Sequence, residues 1–303
     1  MIRNAIMKSI IRLMRRRVDA KNYILLRKAF EKYTKRFRTI PDGADMQSVN
    51  AGGVSAEMIS WREYDEGRIV LYLHGGAYVI GSPRTHRDLI LRIARRCRAR
   101  VLTIDYRLAP ENPHPAALED ALAAYRWLIE TGSDPKRIVI MGDSAGGGLT
   151  LALIMALRDS GDPMPACAVC LSPWTDLTVS GESMKTHRRK DPLLDPEYIQ
   201  YYARLYASEN DAAKPYVSPL FGDFRALPPL LIHVGGAEVL LDDSLRVAEK
   251  ASSAGVLVEL KVWPGMIHVF QALAAVLPDS RRALREIGEF TAKCIPVASS
   301  DPS

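Results

Sequence analysis

Short apolar runs alternate with stretches of helical periodicity through most of this 303-residue chain. Six runs have the length and composition of buried strands, and they span residues 69–73, 101–104, 138–141, 167–171, 230–234 and 256–262. Helical patterns lie near residues 85–97, 115–130, 145–158, 243–254 and 279–293. Because this alternation is typical of βαβ units, the sequence predicts an α/β fold with a mostly parallel central sheet flanked by helices.

Two segments fall outside this alternation. Residues 173–220 separate the fourth and fifth predicted strands and are too long for an ordinary connection. The first 40 residues repeat apolar side chains at spacings of three and four, which predicts two amphipathic helices with faces at Ile2, Ile6, Ile10 and Met14 and at Leu26, Phe30, Tyr33 and Phe37. We predict that residues 1–45 and 173–220 form a small helical cap over the carboxyl ends of the strands. Residues 46–172 and 221–303 would then form the α/β domain.

The net charge of +6 comes from the N-terminal 40 residues. They hold 13 Lys and Arg against Asp19 and Glu31, whereas the remainder has 28 Lys and Arg against 33 Asp and Glu. Contact of this basic arm with a membrane surface is an alternative to simple helix packing, and nothing indicates a nucleic-acid partner. Lys8 and Arg12 interrupt its apolar run, so it does not match a secretory signal, and the sequence contains no run of 18 apolar residues.

The four cysteines are too few and too irregularly spaced for a disulfide framework, which indicates a reducing, cytoplasmic environment. Cys167 and Cys170 match C-x-x-C but lie in a strand-like run, where residues three apart point to opposite faces of the sheet. No second pair of ligands accompanies them, so we predict neither a redox nor a zinc site here.

The motif Gly142-Asp143-Ser144-Ala145-Gly146 stands between a predicted strand and a predicted helix. This G-x-S-x-G context is that of a nucleophile elbow, in which glycines prevent clashes and the serine is lifted into solvent. The following helix directs free N–H groups and a partial positive charge to the same place. A phosphate-binding loop is disfavoured because no G-K-[ST] or complete G-x-G-x-x-G is present. We therefore predict that Ser144 is the nucleophile of a hydrolase.

A second glycine pair, Gly75-Gly76, follows His74 at the end of the first strongly apolar strand. Two successive glycines leave backbone N–H groups unobstructed, so this loop could stabilise the oxyanion of a tetrahedral intermediate. The alternative is a tight turn with no chemical role. We predict an oxyanion hole formed by Gly75, Gly76 and Ala145, the residue after the nucleophile.

A serine nucleophile needs a general base, and His268 is the candidate among six histidines. It lies in the loop after the last apolar strand, from which it could reach the serine. The others have local explanations: His74 in the glycine loop, His233 in an apolar run, His114 between prolines, and His86 and His187 in charged surroundings.

The orienting acid should fall between the serine and the histidine in chain order. Glu238 lies just past the fifth predicted strand and is our candidate. Its rival is Asp242 or Asp243, which could instead be the N-cap of the following helix.

These motifs resemble those of the hormone-sensitive lipase-like carboxylesterases, particularly the bacterial members, within the α/β-hydrolase superfamily. The resemblance covers roughly residues 60 to 290. It rests on His74-Gly75-Gly76-Ala77, Asp105-Tyr106-Arg107-Leu108-Ala109-Pro110-Glu111, Gly142-Asp143-Ser144-Ala145-Gly146-Gly147 and Gly265-Met266-Ile267-His268. Ala77 replaces the third glycine of H-G-G-G, and Glu238 stands where many members have Asp.

The resemblance implies a cap built from the N-terminus and a later insertion, often a homodimer, and esters of short to medium acyl chains as substrates. The triad would transfer the acyl group to water through an acyl-enzyme, and this chemistry requires no metal or cofactor. Tyr198, Tyr201 and Tyr202 could line the pocket or form the core of the cap. An amidase or deacetylase would use the same triad. A non-catalytic receptor, like the plant gibberellin receptors of this fold, is disfavoured because Ser144, Glu238 and His268 are all present.

Overall fold

A computed structural model describes residues 21–34 and 40–296 of the chain. Eight strands form one sheet in the order β1-β2-β4-β3-β5-β6-β7-β8. The strands are β1 Ala44–Ala51, β2 Val54–Trp61, β3 Ile69–Leu73, β4 Arg100–Ile104, β5 Ile138–Asp143, β6 Cys167–Leu171, β7 Leu230–Gly235 and β8 Val258–Trp263. Pairing is parallel from β4 through β3 to β8, and antiparallel between β1 and β2 and between β2 and β4. The predicted mostly parallel sheet is confirmed.

The helices of the described residues follow the predicted pattern closely. The longer ones are α1 Tyr23–Thr34, α2 Pro83–Cys97, α3 Ala116–Glu130, α4 Ala145–Ser160, α6 Pro196–Tyr206, α7 Leu241–Ser253 and α8 Pro278–Cys294, with a single turn, α5, at Ser183–Thr186. Short 3₁₀ turns lie at Pro135–Arg137, Pro219–Phe221 and Phe270–Leu273. The last strand begins at Val258 rather than at the predicted residue 256.

The hairpin of β1 and β2 was not predicted. In β1, partly buried residues are interspersed with exposed ones, and β2 mixes buried with partly buried positions. Both strands carry several polar side chains, so neither resembles the continuous apolar runs of the central strands. Gly52 and Gly53, which connect the strands, both have positive φ, and Gly-Gly between two short alternating segments is a hairpin signal. That dipeptide is the feature from which the hairpin could have been found.

The core lies on both faces of the sheet because the central strands are buried on both sides. In β5, Ile138 and Ile140 pack into the apolar cluster beneath α3, α4 and α7, whereas Val139 and Met141 pack into the cluster beneath α2 and α8. The same alternation places Cys170 in the first cluster and Cys167 in the second, as predicted. The cysteines are free thiols, so this C-x-x-C does not form a disulfide.

The two segments predicted to form a cap meet in the structure. The Tyr201 hydroxyl on α6 donates to the Lys21 carbonyl oxygen, 3.1 Å away, near the start of α1. Helix α1 matches the second predicted amphipathic helix: Leu26 packs against the core, although Phe30 remains 42% exposed. The first predicted helix, with Ile2 to Met14, lies outside the described residues. No described helix combines the length and apolar character needed to cross a bilayer.

Candidate active site

Ser144 occupies a sharp turn between β5 and α4, with φ 54° and ψ −122°. This backbone conformation is strained for a residue other than glycine, and such strain often occurs at functional sites. A Cβ atom at Gly142 would lie 2.2 Å from the Gly146 carbonyl oxygen, and one at Gly146 would lie 2.0 Å from the Leu73 carbonyl oxygen. Both glycines of the motif are therefore required by close backbone packing, and Ser144 itself remains partly exposed.

His268 and Glu238 meet in the loops that follow β8 and β7. The His268 Nδ1 and Glu238 Oε2 atoms are 2.7 Å apart, and both side chains are buried. Burial lowers the pKa of His268, but the charge and hydrogen bond of Glu238 outweigh burial and raise the pKa above its ordinary value of 6.5. Because parallel strands end at the same sheet edge, this pair and Ser144 share the carboxyl edge of β5, β7 and β8.

Ser172 connects the acid and base loops, and sequence reasoning missed it. Its hydroxyl donates to Glu238 Oε1 at 2.8 Å and accepts the Val269 N–H at 3.1 Å. The Gly235 N–H donates to the same carboxylate oxygen of Glu238. Glu238 is therefore held through one oxygen while the other faces His268. The signal available in the sequence was a serine directly after the apolar run of β6.

Asp191, in the insertion, is a second residue that sequence reasoning missed. Its Oδ2 accepts the Val239 N–H at 3.0 Å, and its Oδ1 accepts the N–H groups of Leu193 and Leu194. Burial raises the pKa of this carboxyl, whereas these hydrogen bonds and the nearby His268 oppose the increase. The insertion is therefore fastened to the loop that carries Glu238.

The rival acids contact the insertion rather than His268. The Asp242 Oδ2 atom accepts the Ser183 N–H at 2.7 Å, and the Asp243 Oδ2 atom accepts the N–H groups of Thr175 and Asp176 at 2.7 and 2.9 Å. Neither residue is an N-cap, because α7 begins at Leu241 and both aspartates lie in its first turn. The N-cap interpretation was wrong, since tertiary contacts engage both carboxylates.

The glycine loop forms a tight turn whose backbone is held in the left-handed region. Gly76, Ala77 and Tyr78 have φ values of 124°, 54° and 61°. The Val79 and Ile80 N–H groups close the turn by donating to the Gly76 carbonyl oxygen at 3.0 and 2.8 Å. We call residues 75–80 the oxyanion turn, after the role that the sequence predicts for this loop.

The Gly75 N–H donates to Asp143 Oδ1 at 3.0 Å, so it is engaged within the protein. This differs from the sequence-based prediction, which aimed this N–H at a substrate. The physical reason is the neighbouring Asp143: a Cβ at Gly75 would lie 2.2 Å from its Oδ2 atom, so only glycine permits the approach. Within residues 21–34 and 40–296, the N–H groups of Gly76, Ala77 and Ala145 have no hydrogen-bond acceptor.

Asp143 is itself held by two further side chains. The Tyr72 hydroxyl donates to its Oδ1 atom at 2.6 Å, and His86 Nε2 lies 3.4 Å from its Oδ2 atom. Burial raises the pKa of Asp143, but the charge and hydrogen bond of His86 and the Tyr72 hydroxyl outweigh burial and lower it overall. His74, stacked on Tyr106 at 4.2 Å, is buried, which lowers its pKa to about 3 and keeps it neutral.

The tyrosines of the insertion pack mainly on the core. Tyr202 is buried, while Tyr198 and Tyr201 are partly buried against the larger apolar cluster. The contact with the oxyanion turn is made instead by Tyr206, whose ring stacks on Tyr78 at a centroid distance of 3.7 Å.

Comparison with known proteins agrees with this fold. A family model described as alpha/beta hydrolase fold matches residues 70–272. An acetyl-hydrolase of Streptomyces hygroscopicus is 46% identical over 242 residues, covering 80% of this chain and 81% of the relative. An esterase of Acinetobacter venetianus is 38% identical over 256 residues, covering 84% of each chain.

A crystal structure of an esterase from the bacterial hormone-sensitive lipase family superposes with a TM-score of 0.92 at 44% identity, covering 96% of this chain and 98% of that one. The chain therefore belongs to the hormone-sensitive lipase family of α/β-hydrolase-fold esterases. It is a carboxylic ester hydrolase.

Proposed function

We propose that the chain hydrolyses short-chain acyl esters with Ser144 as nucleophile, His268 as general base and Glu238 as the acid that orients His268. The observation that carries this proposal is the 2.7 Å contact between His268 Nδ1 and Glu238 Oε2, in loops at the same sheet edge as the strained Ser144 turn. With Nδ1 donating to the carboxylate, Nε2 is the ring nitrogen that accepts a proton.

The reaction proceeds in two steps. The Ser144 Oγ attacks the ester carbonyl while His268 takes the hydroxyl proton, and the tetrahedral intermediate collapses when His268 protonates the leaving alcohol. Water, deprotonated by the same imidazole, then hydrolyses the acyl-enzyme and releases the acid.

For the oxyanion we propose the N–H groups of Gly76, Ala77 and Ala145 as donors. Their lack of an acceptor within the described part of the chain supports this assignment, as does the position of Ala145 at the start of α4. Gly75, whose N–H is engaged by Asp143, orients the turn instead. We further propose that α1 and residues 173–220 act together as the cap over this site.

The size of the acyl group is proposed from a relative. The Streptomyces relative is named an acetyl-hydrolase, which favours acetyl and other short acyl groups. The test is steady-state hydrolysis of p-nitrophenyl esters from acetate to palmitate by wild type, Ser144→Ala and the control Ser253→Ala, which changes an exposed serine.

We expect the highest kcat/KM from acetate to butyrate, with loss of about 10⁴-fold or more in Ser144→Ala and no change in Ser253→Ala. A fluorophosphonate should label Ser144 in the wild type, as peptide mass spectrometry would show. Folded wild type without ester hydrolysis would favour the amidase or deacetylase, to be tested on acyl anilides and acetylated sugars.

The homodimer also becomes a proposal, because β8 is an edge strand of the sheet in the described part of the chain and an edge strand offers a surface for pairing. Light scattering coupled to size-exclusion chromatography tests it. Membrane contact by the basic arm and a cytoplasmic location stay predictions.

A further inference from the structure

The side chain of Arg27, on α1, reaches into the catalytic domain and contacts two loops at once. Its Nε donates to the Val79 carbonyl oxygen at 2.6 Å, and its Nη2 donates to the Ala109 carbonyl oxygen at 2.7 Å. Glu111 receives a two-pronged hydrogen bond from the same guanidinium, at 2.9 and 2.8 Å. The Arg27 side chain is 27% exposed, so these contacts are partly shielded from water.

Val79 belongs to the oxyanion turn, and Ala109 is bonded to that turn directly. The Ala109 N–H donates to the Tyr78 carbonyl oxygen at 2.9 Å. Arg27 and Ala109 thus hold the two successive carbonyl groups that follow Ala77, and Arg27 also holds Ala109 itself.

The turn needs such support because its backbone is strained. Ala77 and Tyr78 both have positive φ, which is unfavourable for residues that carry a Cβ atom. Strained backbone persists only where surrounding contacts determine it. Tyr206 supplies one contact, because its ring stacks on the ring of Tyr78. Arg27 supplies a second, polar contact at the Val79 carbonyl oxygen.

We propose that Arg27 is a positioning residue for the oxyanion hole, so that α1 takes part in catalysis by holding the oxyanion turn in its active geometry. This inference rests on the proposed function, since it concerns the donors Gly76 and Ala77. Arg27 touches neither substrate nor the reacting atoms. It acts through the Val79 and Ala109 carbonyl groups, and the planar fork of a guanidinium fits this set of acceptors where a lysine ammonium does not.

The consequence is specific to the transition state. A misplaced N–H donor weakens binding of the developing oxyanion more than binding of the neutral ester carbonyl. Loss of Arg27 should therefore lower kcat and leave KM nearly unchanged. A helix that merely filled space would affect stability or the fraction of active protein instead.

The experiment compares Arg27→Ala and Arg27→Lys with the control Arg204→Ala, which removes an exposed ion pair between Arg204 on α6 and Glu209. Active sites are titrated with a fluorophosphonate, so that kcat for p-nitrophenyl butyrate is expressed per functional site. The second readout is the inhibition constant of an alkyl trifluoromethyl ketone, which forms a tetrahedral adduct, against that of butyrate, which does not.

We expect kcat to fall about 10-fold in Arg27→Ala, less than the roughly 10²–10³-fold that follows removal of a donor itself. KM and butyrate inhibition should stay within about twofold, while ketone affinity falls in parallel with kcat/KM. Arg27→Lys should be intermediate, and it carries the test if Arg27→Ala does not fold.

A kcat per titrated site within twofold of wild type in both Arg27 variants would overturn the proposal. Equal weakening of ketone and butyrate would also overturn it, because this pattern indicates general damage to the pocket. Failure of the proposed function has a different signature: wild type would show no Ser144-dependent ester hydrolysis at all.

Discussion

The acid–base pair and the oxyanion turn lie at the same sheet edge but are held in different ways. Glu238 and His268 are buried in loops of the α/β domain and are joined by a short hydrogen bond, with Ser172 bridging the two loops. The oxyanion turn has three successive residues with positive φ, and it is fastened from outside by Arg27 and Tyr206.

This difference indicates that the two halves of the site respond to different changes. The acid–base pair depends on a few strong, local, charge-assisted contacts. A substitution that removes one of them should therefore cause a large loss of activity. The oxyanion turn depends on a backbone geometry that several contacts maintain together. Loss of any one of these contacts should therefore lower activity only in part. Substitutions in each half can test this division.

The largest effect is expected at Glu238. Glu238→Gln keeps the size of the side chain but cannot hold the imidazole in its working tautomer or stabilise its positive form, so kcat/KM should fall about 10³–10⁴-fold. The matched control is Asp242→Asn, which retains an oxygen for the Ser183 N–H and should stay within about threefold. Both are measured with p-nitrophenyl butyrate and circular dichroism.

If Asp242→Asn proved the more damaging change in folded protein, the assignment of Glu238 would be wrong. The acid–base half would then extend into the contact between α7 and the insertion, and the contrast with the oxyanion turn would disappear.

A pH profile of kcat/KM measures how strongly Glu238 affects the pKa of His268. The base must be neutral to accept a proton, and its pKa lies above 6.5 in the folded enzyme, so kcat/KM should fall as the pH drops through that raised pKa. Glu238→Gln removes the charge that raises the pKa, and its residual activity should decline at lower pH than that of wild type. A pH-stat assay with ethyl butyrate avoids a titrating chromophore.

An acid limb at or below pH 6.5 in the wild type would show that Glu238 does not dominate the electrostatics of His268. Burial would then be the stronger influence.

The smallest effect is expected at Ala77, and it tests the strain of the oxyanion turn. Ala77→Gly removes the Cβ atom that makes the left-handed backbone conformation unfavourable. In the opposite direction, glycine gives the unfolded chain more conformational freedom, which lowers stability. The free energy of unfolding should rise by up to about 1 kcal/mol, with kcat within about twofold. Urea unfolding measures the free energy of unfolding, and ester hydrolysis measures kcat. A loss of stability would mean that the turn is not strained at this residue.

Much of the fold followed from local patterns in the sequence. Apolar runs predicted six of the eight strands. Five of them, β3 to β7, are buried on both faces as central strands of a parallel sheet, and the sixth is the edge strand β8. The hairpin of β1 and β2 was missed because it lies at the sheet edge, where one face is exposed and the pattern includes polar residues.

In the site, chain order and a position just after a predicted strand singled out Glu238 and His268, and the structure brings them within hydrogen-bond distance. The elbow at Ser144 could be predicted because its glycines avoid clashes with backbone atoms only a few positions away or in the adjacent strand. Such features leave a signature in short motifs.

Packing between distant segments settles which N–H groups of the oxyanion turn find an acceptor among the described residues, and what holds that turn. Gly75 is engaged by Asp143, 68 residues away in sequence, and Val79 by Arg27, 52 residues away. Hydrogen bonds between distant segments depend on how helices and loops pack, and no local pattern of residues encodes their geometry. Local motifs therefore specify the reactive side chains of this protein, whereas packing specifies which backbone N–H donors remain for the reaction.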